Sequence, residues 1–196
     1  MSNNALIVPE ASRRQFLRTT GAATLSASAV ALIVGCESMA QSTMAKPESD
    51  VAILNVALGL EHEAINAYQL GAESGLLQQQ VVPVAVLFQD HHKQHRDALI
   101  ATIRKMGGMP VNEKTKAEYV QALNAAALKN QADILRLAQR LEKGATNAYL
   151  GVIPSFNDKG LAQVAGRLAA DETMHWTALA GALGESLPGK PLTFGA

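Results

Sequence analysis

Two segments of this chain repeat one another. Leu60-Glu61-His62-Glu63-Ala64-Ile65-Asn66-Ala67-Tyr68 and Leu141-Glu142-Lys143-Gly144-Ala145-Thr146-Asn147-Ala148-Tyr149 agree at Leu, Glu, Ala, Asn, Ala and Tyr. Further along each half, His95, Ala98 and Leu99 match His175, Ala178 and Leu179, with the spacing one residue shorter, as loops of unequal length produce. In that register His92 falls opposite Glu172. The chain therefore reads as two related helical hairpins, each supplying a glutamate from one helix and a residue pair ending in histidine from the next.

Helical periodicity explains why these positions matter. In the run Leu161 to Leu183, the residues Leu161, Ala165, Leu168, Glu172, His175, Leu179 and Ala182 recur at spacings of four and three, which puts them on one face. Glu172 and His175 stand where that stripe asks for leucine. An unpaired buried carboxylate costs several kcal/mol or takes up a proton, so the stripe needs a partner there, and a metal ion is one. The same interruption occurs on three other stripes. The first helix carries Leu54, Leu58, Glu61, Ile65 and Tyr68. The second carries Leu87 or Phe88, His91 or His92, then His95, Leu99, Thr102 or Ile103, and Met106. The third carries Leu135, Ala138, Glu142, Ala145 and Tyr149.

Local signals bound these helices. Ser49 and Asp50 suit a helix start, and Ser74-Gly75 a stop. Pro83 can open the second helix, which Gly107-Gly108 and Pro110 close. Residues 109–124 form a long connection with a short helical piece around Ala117 to Leu123. The third helix is expected from about Ala125 to Leu150, and Gly151 to Gly160 is expected to turn into the fourth. Alanine and leucine abound while aromatics make up only 4% of the 196 residues, a composition that favours helix. The formal charge of zero at pH 7 and the lack of a basic stripe argue against a nucleic-acid partner.

The N-terminus has a different character. Ser12-Arg13-Arg14-Gln15-Phe16-Leu17-Arg18 resembles the twin-arginine export signal, and the mildly apolar run Thr19 to Gly35 suits its hydrophobic region. The run ends Ile33-Val34-Gly35-Cys36, which resembles a bacterial lipobox with Cys36, the only cysteine, as the lipidated residue. A competing cut after Ser38-Met39-Ala40 would release a soluble protein. The expected division is a signal over 1–35, a tether over 36–48, a four-helix bundle over 49–184 and a tail over 185–196. The expected location is the periplasm, with or without a lipid anchor in the membrane.

Over residues 49–184 the chain resembles the exported bacterial ferritin-like proteins, a group that includes relatives of desiccation-associated proteins. The motifs that carry the resemblance are Leu60-Glu61-His62, His92-Lys93-Gln94-His95-Arg96-Asp97-Ala98-Leu99, Leu141-Glu142 and Glu172-Thr173-Met174-His175. It implies an all-α, up-down-down-up four-helix bundle with a long crossover between the second and third helices. It implies Glu61 and Glu142 as terminal carboxylate ligands, His95 and His175 as imidazole ligands and Glu172 as a bridging carboxylate. His92 departs from the pattern, standing where metal-binding members hold a second bridging glutamate. The nitrogens of a neutral imidazole point apart and cannot span a close metal pair, and only three formal negative charges remain.

A mononuclear or asymmetric site is thus as compatible with these residues as a pair, and iron, manganese or zinc suits the mixed ligands. With iron, the implied chemistry is ferrous oxidation or reduction of dioxygen or peroxide, a role in oxidative stress. The rival readings are a metal-free bundle whose polar layer sets helix register, and a metal carrier without turnover. Tyr68, Tyr149, His91 and His62 are placed behind the ligands: the tyrosines as core residues able to donate to a carboxylate, His91 as a substitute for His92 one turn before His95, and His62 as a solvated or supporting residue. A homo-oligomer is compatible with all of this.

Overall fold

The computed structural model describes residues 47–195, and every described element is helical. The segments expected to form an export signal, a lipobox with Cys36 and a tether up to residue 46 lie outside the described residues. Five α-helices follow in order: α1 (Pro47–Glu73), α2 (Val82–Lys105), α3 (Lys116–Ala122), α4 (Gln131–Val152) and α5 (Lys159–Ala182). Short 3-10 turns at Ala125–Ala127 and Ile153–Ser155 sit before and after α4.

Directions follow from which residues meet. Tyr68 of α1 reaches Glu142 of α4, while Glu61, two turns earlier, reaches Tyr149, two turns later, so α1 and α4 run antiparallel. Tyr68 meets Phe88 and Glu61 meets His92, which sets α2 against α1. His91 meets His175 and His95 meets Asp171, which sets α5 against α2. The four long helices therefore run up, down, down and up. The segment between α2 and α4 is the crossover, and within it α3 straps the outside of the bundle through Tyr119 and Leu123, packed with Ala67 and Leu137.

Helix ends obey local chemistry. Gly75 and Gly107 take positive φ (+69° and +79°) just past α1 and α2, a conformation that costs glycine nothing. Thr115 and Glu118 form a reciprocal capping box on α3. Two expected boundaries move, and one expected stripe is shorter. Helix α1 is already formed at Pro47, so Ser49 is not its cap but lies in its first described turn, where Asn157 donates to it. Helix α4 starts at Gln131 and not near Ala125: Asn124 turns left-handed (φ +50°), and the side chain of Asn130 accepts from Asp133 N, the cap that fixes the true start. Helix α5 ends its buried stripe at Leu179, with Ala182 exposed. The tail is no free appendage either, since Phe194 meets Trp176 edge-on and Gly195 N donates to Asn147.

Besides the cluster under α3, the apolar core of the bundle falls into two parts. One cluster gathers Leu54, Leu58, Leu99, Ile103, Tyr149 and Leu168, and the other Tyr68, Ala85, Phe88, Leu135, Ala138 and Leu179. Between them lies a layer of charge.

Candidate metal centre

That layer is built by the four stripes. Glu61 comes from α1, His92 and His95 from α2, Glu142 from α4, and Glu172 and His175 from α5. Five of the six are no more than 1% exposed, and His95 is 8% exposed. Helical spacing of three places His92 with His95, and Glu172 with His175, on single faces one turn apart.

Two overlapping quartets result, Glu61 with His92, His95 and Glu172, and His92 with Glu142, Glu172 and His175. Within each, one ligand atom per residue lies within 4.8 Å of the others. The two sets share His92 and Glu172. In Glu172 the two oxygens face different ways: Oε1 lies 3.2 Å from His95 Nδ1, and Oε2 lies 3.1 Å from His175 Nδ1 and 3.8 Å from His92 Nε2. In His92 the two nitrogens do the same, Nδ1 lying 2.7 Å from Glu61 Oε2 and Nε2 3.2 Å from Glu142 Oε1.

Outer contacts orient the imidazoles. Asp171 Oδ2 lies 3.3 Å from His95 Nε2, and His91 Nδ1 lies 3.0 Å from His175 Nε2. His91 therefore backs His175, and His92 stands in both ligand sets. The Tyr68 hydroxyl donates to Glu142 and the Tyr149 hydroxyl to Glu61, each across to the other repeat. Phe88 stacks on the His175 ring with centroids 4.2 Å apart. His62 is buried but makes no hydrogen bond at either ring nitrogen among the described residues, and it lies under the crossover beside Gly108 to Glu113. Its expected place behind the ligands is corrected, because its position next to Glu61 turns it about 100° away from the centre.

Sequence reasoning did not single out Asp171 as a supporting residue. It sits off the α5 stripe, yet the repeat register aligns it with His91, and that alignment is the signal that would have found it.

Charge is shared within the layer. Burial pushes the Glu61 and Glu142 carboxyls up, but the imidazoles of His92 and His95 beside Glu61, and of His175 and His92 beside Glu142, outweigh it and hold both below the usual range. Glu172 is pushed up by its burial. Burial would lower the histidines, yet the surrounding carboxylates reverse this. His92 and His175 are raised, and His95, beside Glu172 and Glu61, is raised to about 10.

The residues fit a metal ion by more than their identities. His95 Nδ1, Glu142 Oε2 and Glu172 Oε1 are buried and make no hydrogen bond among the described residues, although His95 Nδ1 and Glu172 Oε1 are 3.2 Å apart. Buried polar atoms are seldom left in this state, and an ion taking their lone pairs would satisfy them.

Comparisons agree with this architecture. The crystal structure of a conserved hypothetical protein from Mycobacterium tuberculosis superposes with a TM-score of 0.60 at 20% identity, covering 74% of this chain and 97% of the other, and shares its fold. No curated protein matches the chain. A family model described as "Ferritin-like domain" matches residues 49–185. With most of the chain matched and the bundle geometry in accord, the chain belongs to the ferritin-like domain family.

Proposed function

We propose that the protein binds a transition-metal ion in the middle of the bundle, iron before manganese or zinc, and uses it to oxidise ferrous iron or to reduce dioxygen or peroxide. The observation that carries this reading is the pair of overlapping four-residue ligand sets, buried at the bundle centre and drawn from all four long helices. Imidazole and carboxylate together suit iron, which would supply one-electron chemistry there.

The chain's own residues would do the rest. Glu61, Glu142 and Glu172 offset the ion's charge, while Asp171 and His91 hold the ligand imidazoles in place. The Tyr68 and Tyr149 hydroxyls fix the terminal carboxylates. An apolar cavity of about 230 Å³ next to Tyr68 and Phe88 excludes ions and suits a small uncharged oxidant. Export by the twin-arginine route, with Cys36 lipidated, would place this chemistry outside the cytoplasm. That part rests on the leader motifs, and fractionation of the natural protein beside Cys36→Ser tests it.

Metal analysis of protein purified without chelator tests the main claim, beside Glu172→Ala and the double variant Glu61→Ala/Glu142→Ala. Metal in the natural protein and its loss from both variants supports the reading. Equal content in all three removes the site and leaves the metal-free bundle. Peroxide-dependent ferrous oxidation then separates a redox centre from a carrier.

A further inference from the structure

The repeat makes the two quartets nearly equivalent, and two of the residues that break the equivalence are neighbours on α2. His91-His92 stands where α5 has Asp171-Glu172. Each break has a chemical consequence.

Position 92 is shared by both quartets. A carboxylate there would give one oxygen to each. A neutral imidazole has a single lone-pair nitrogen, and its other nitrogen carries a proton. When His92 Nδ1 is the ligand, the Nε2–H points at Glu142 Oε1, 3.2 Å away, and ties up the terminal carboxylate of the second quartet. When Nε2 is the ligand, the Nδ1–H ties up Glu61, 2.7 Å away. Filling one quartet therefore strips the other of its shared histidine and engages its terminal glutamate. Charge acts in the same sense, because three buried carboxylates can balance one divalent ion but not two.

Position 91 decides between the two. A carboxylate behind a ligand imidazole fixes its tautomer and raises its basicity. His95 has the Asp171 carboxylate behind it, whereas His175 has only the imidazole of His91. We infer that the centre binds one ion tightly, in the quartet Glu61, His92 Nδ1, His95 Nδ1 and Glu172, with Asp171 as its positioning residue, while the quartet around Glu142 and His175 is weak.

The inference rests on the metal-binding reading above, and it can fail separately. The test uses Co²⁺ alone, added to chelator-stripped full chain, with bound metal counted after desalting and affinity taken from visible absorption. One ion per chain is expected. His95→Ala should weaken it by about tenfold or more, and Asp171→Asn by about tenfold, while His175→Ala changes it less than about threefold. His92→Glu, which supplies an oxygen to each quartet, should raise the count to two. Two tightly held ions in the natural chain, or equal losses from His95→Ala and His175→Ala, overturn the assignment while leaving a metal protein. No ion in the natural chain overturns both. A count of two, or of none, on the unaltered protein overturns the assignment even if a variant fails to fold.

Discussion

The Tyr68 hydroxyl of α1 donates to the Glu142 carboxylate of α4, and the repeat-related Tyr149 of α4 donates back to Glu61 of α1. The two halves are therefore locked to each other through the acids that the metal reading needs. A hydroxyl hydrogen-bonded to a charged group contributes about 1.5–3 kcal/mol. Tyr68→Phe and Tyr149→Phe should each lower the unfolding free energy of the chelated protein by that order, measured by urea denaturation. Because both bonds belong to one network, the double variant should lose less or more than the sum, by about 0.5 kcal/mol or above. Neutral single variants would mean that the hydroxyls merely fill space.

Acidity gives the second prediction. His95 is raised from its ordinary value of 6.5 to about 10 by the carboxylates around it, outweighing its burial. A group whose folded value lies above its unfolded one contributes stability that is complete below the unfolded value and disappears as pH rises through the folded value. The chelated protein should thus lose stability between about pH 6.5 and 10, read from urea midpoints, and His95→Gln should flatten that limb. Glu61 and Glu142 are held low, so their contribution is present above the usual carboxylate range and lost on acidification below it. A pH-independent midpoint from 6.5 to 10 would contradict the paired layer.

The stripes and the repeat are readable because an α-helix returns to the same face every three or four residues, so charges at Glu61, Glu142, Glu172 and His175 had to fall in the core. What could not be read depends on contacts made by other segments. His62 is off the stripe, and its burial comes from the crossover residues Gly108 to Glu113. Asp171 is off the stripe as well, and only the approach of His95 from α2 gives it a partner. The start of α4 was misplaced because alanine propensity at 125–127 favours helix, while the left-handed Asn124 and the cap at Asn130 decide otherwise. Local propensity loses to a specific turn.

Asp50 illustrates the same lesson and carries a third prediction. As an acid in the first turn of α1 it suits the helix dipole, but it is buried and accepts from Asn157 N at 3.2 Å, Asn157 Nδ2 at 3.0 Å and Asp158 N at 3.2 Å. It therefore pins the turn that opens α5. Asp50→Ala leaves two backbone donors short of an acceptor, at a cost of about 1–3 kcal/mol. Hydrogen exchange at Asn157 and Asp158 should quicken in the variant, and unchanged exchange would show that water replaces the carboxylate at no cost.

Metal loading offers a fourth. An ion that binds only the folded chain stabilises it by about 2.7 kcal/mol when present at a hundredfold over its dissociation constant. It must also displace protons from the raised imidazoles, so affinity should climb with pH up to about 10, where His95 is ready to bind without losing a proton. Calorimetry in buffers of different ionisation heat would register that release. A melting temperature unmoved in protein shown to be loaded would place the ion outside the bundle centre.

The repeat itself supplies the last prediction. If the weak quartet is weak because His91, and not a carboxylate, backs His175 Nε2, then His91→Asp gives α2 the residue that α5 already holds at Asp171. The gain should be visible in a chain that can no longer use the stronger quartet. In a His95→Ala background, His91→Asp should restore Co²⁺ affinity by about tenfold, the size of effect that outer carboxylates have on ligand histidines. His91→Asn, which fills the same space without the charge, should restore far less. Equal recovery by Asp and Asn would assign the effect to relief of the stacked His91 and His175 rings, 5.2 Å apart between centroids, and remove the electrostatic account of why one quartet dominates.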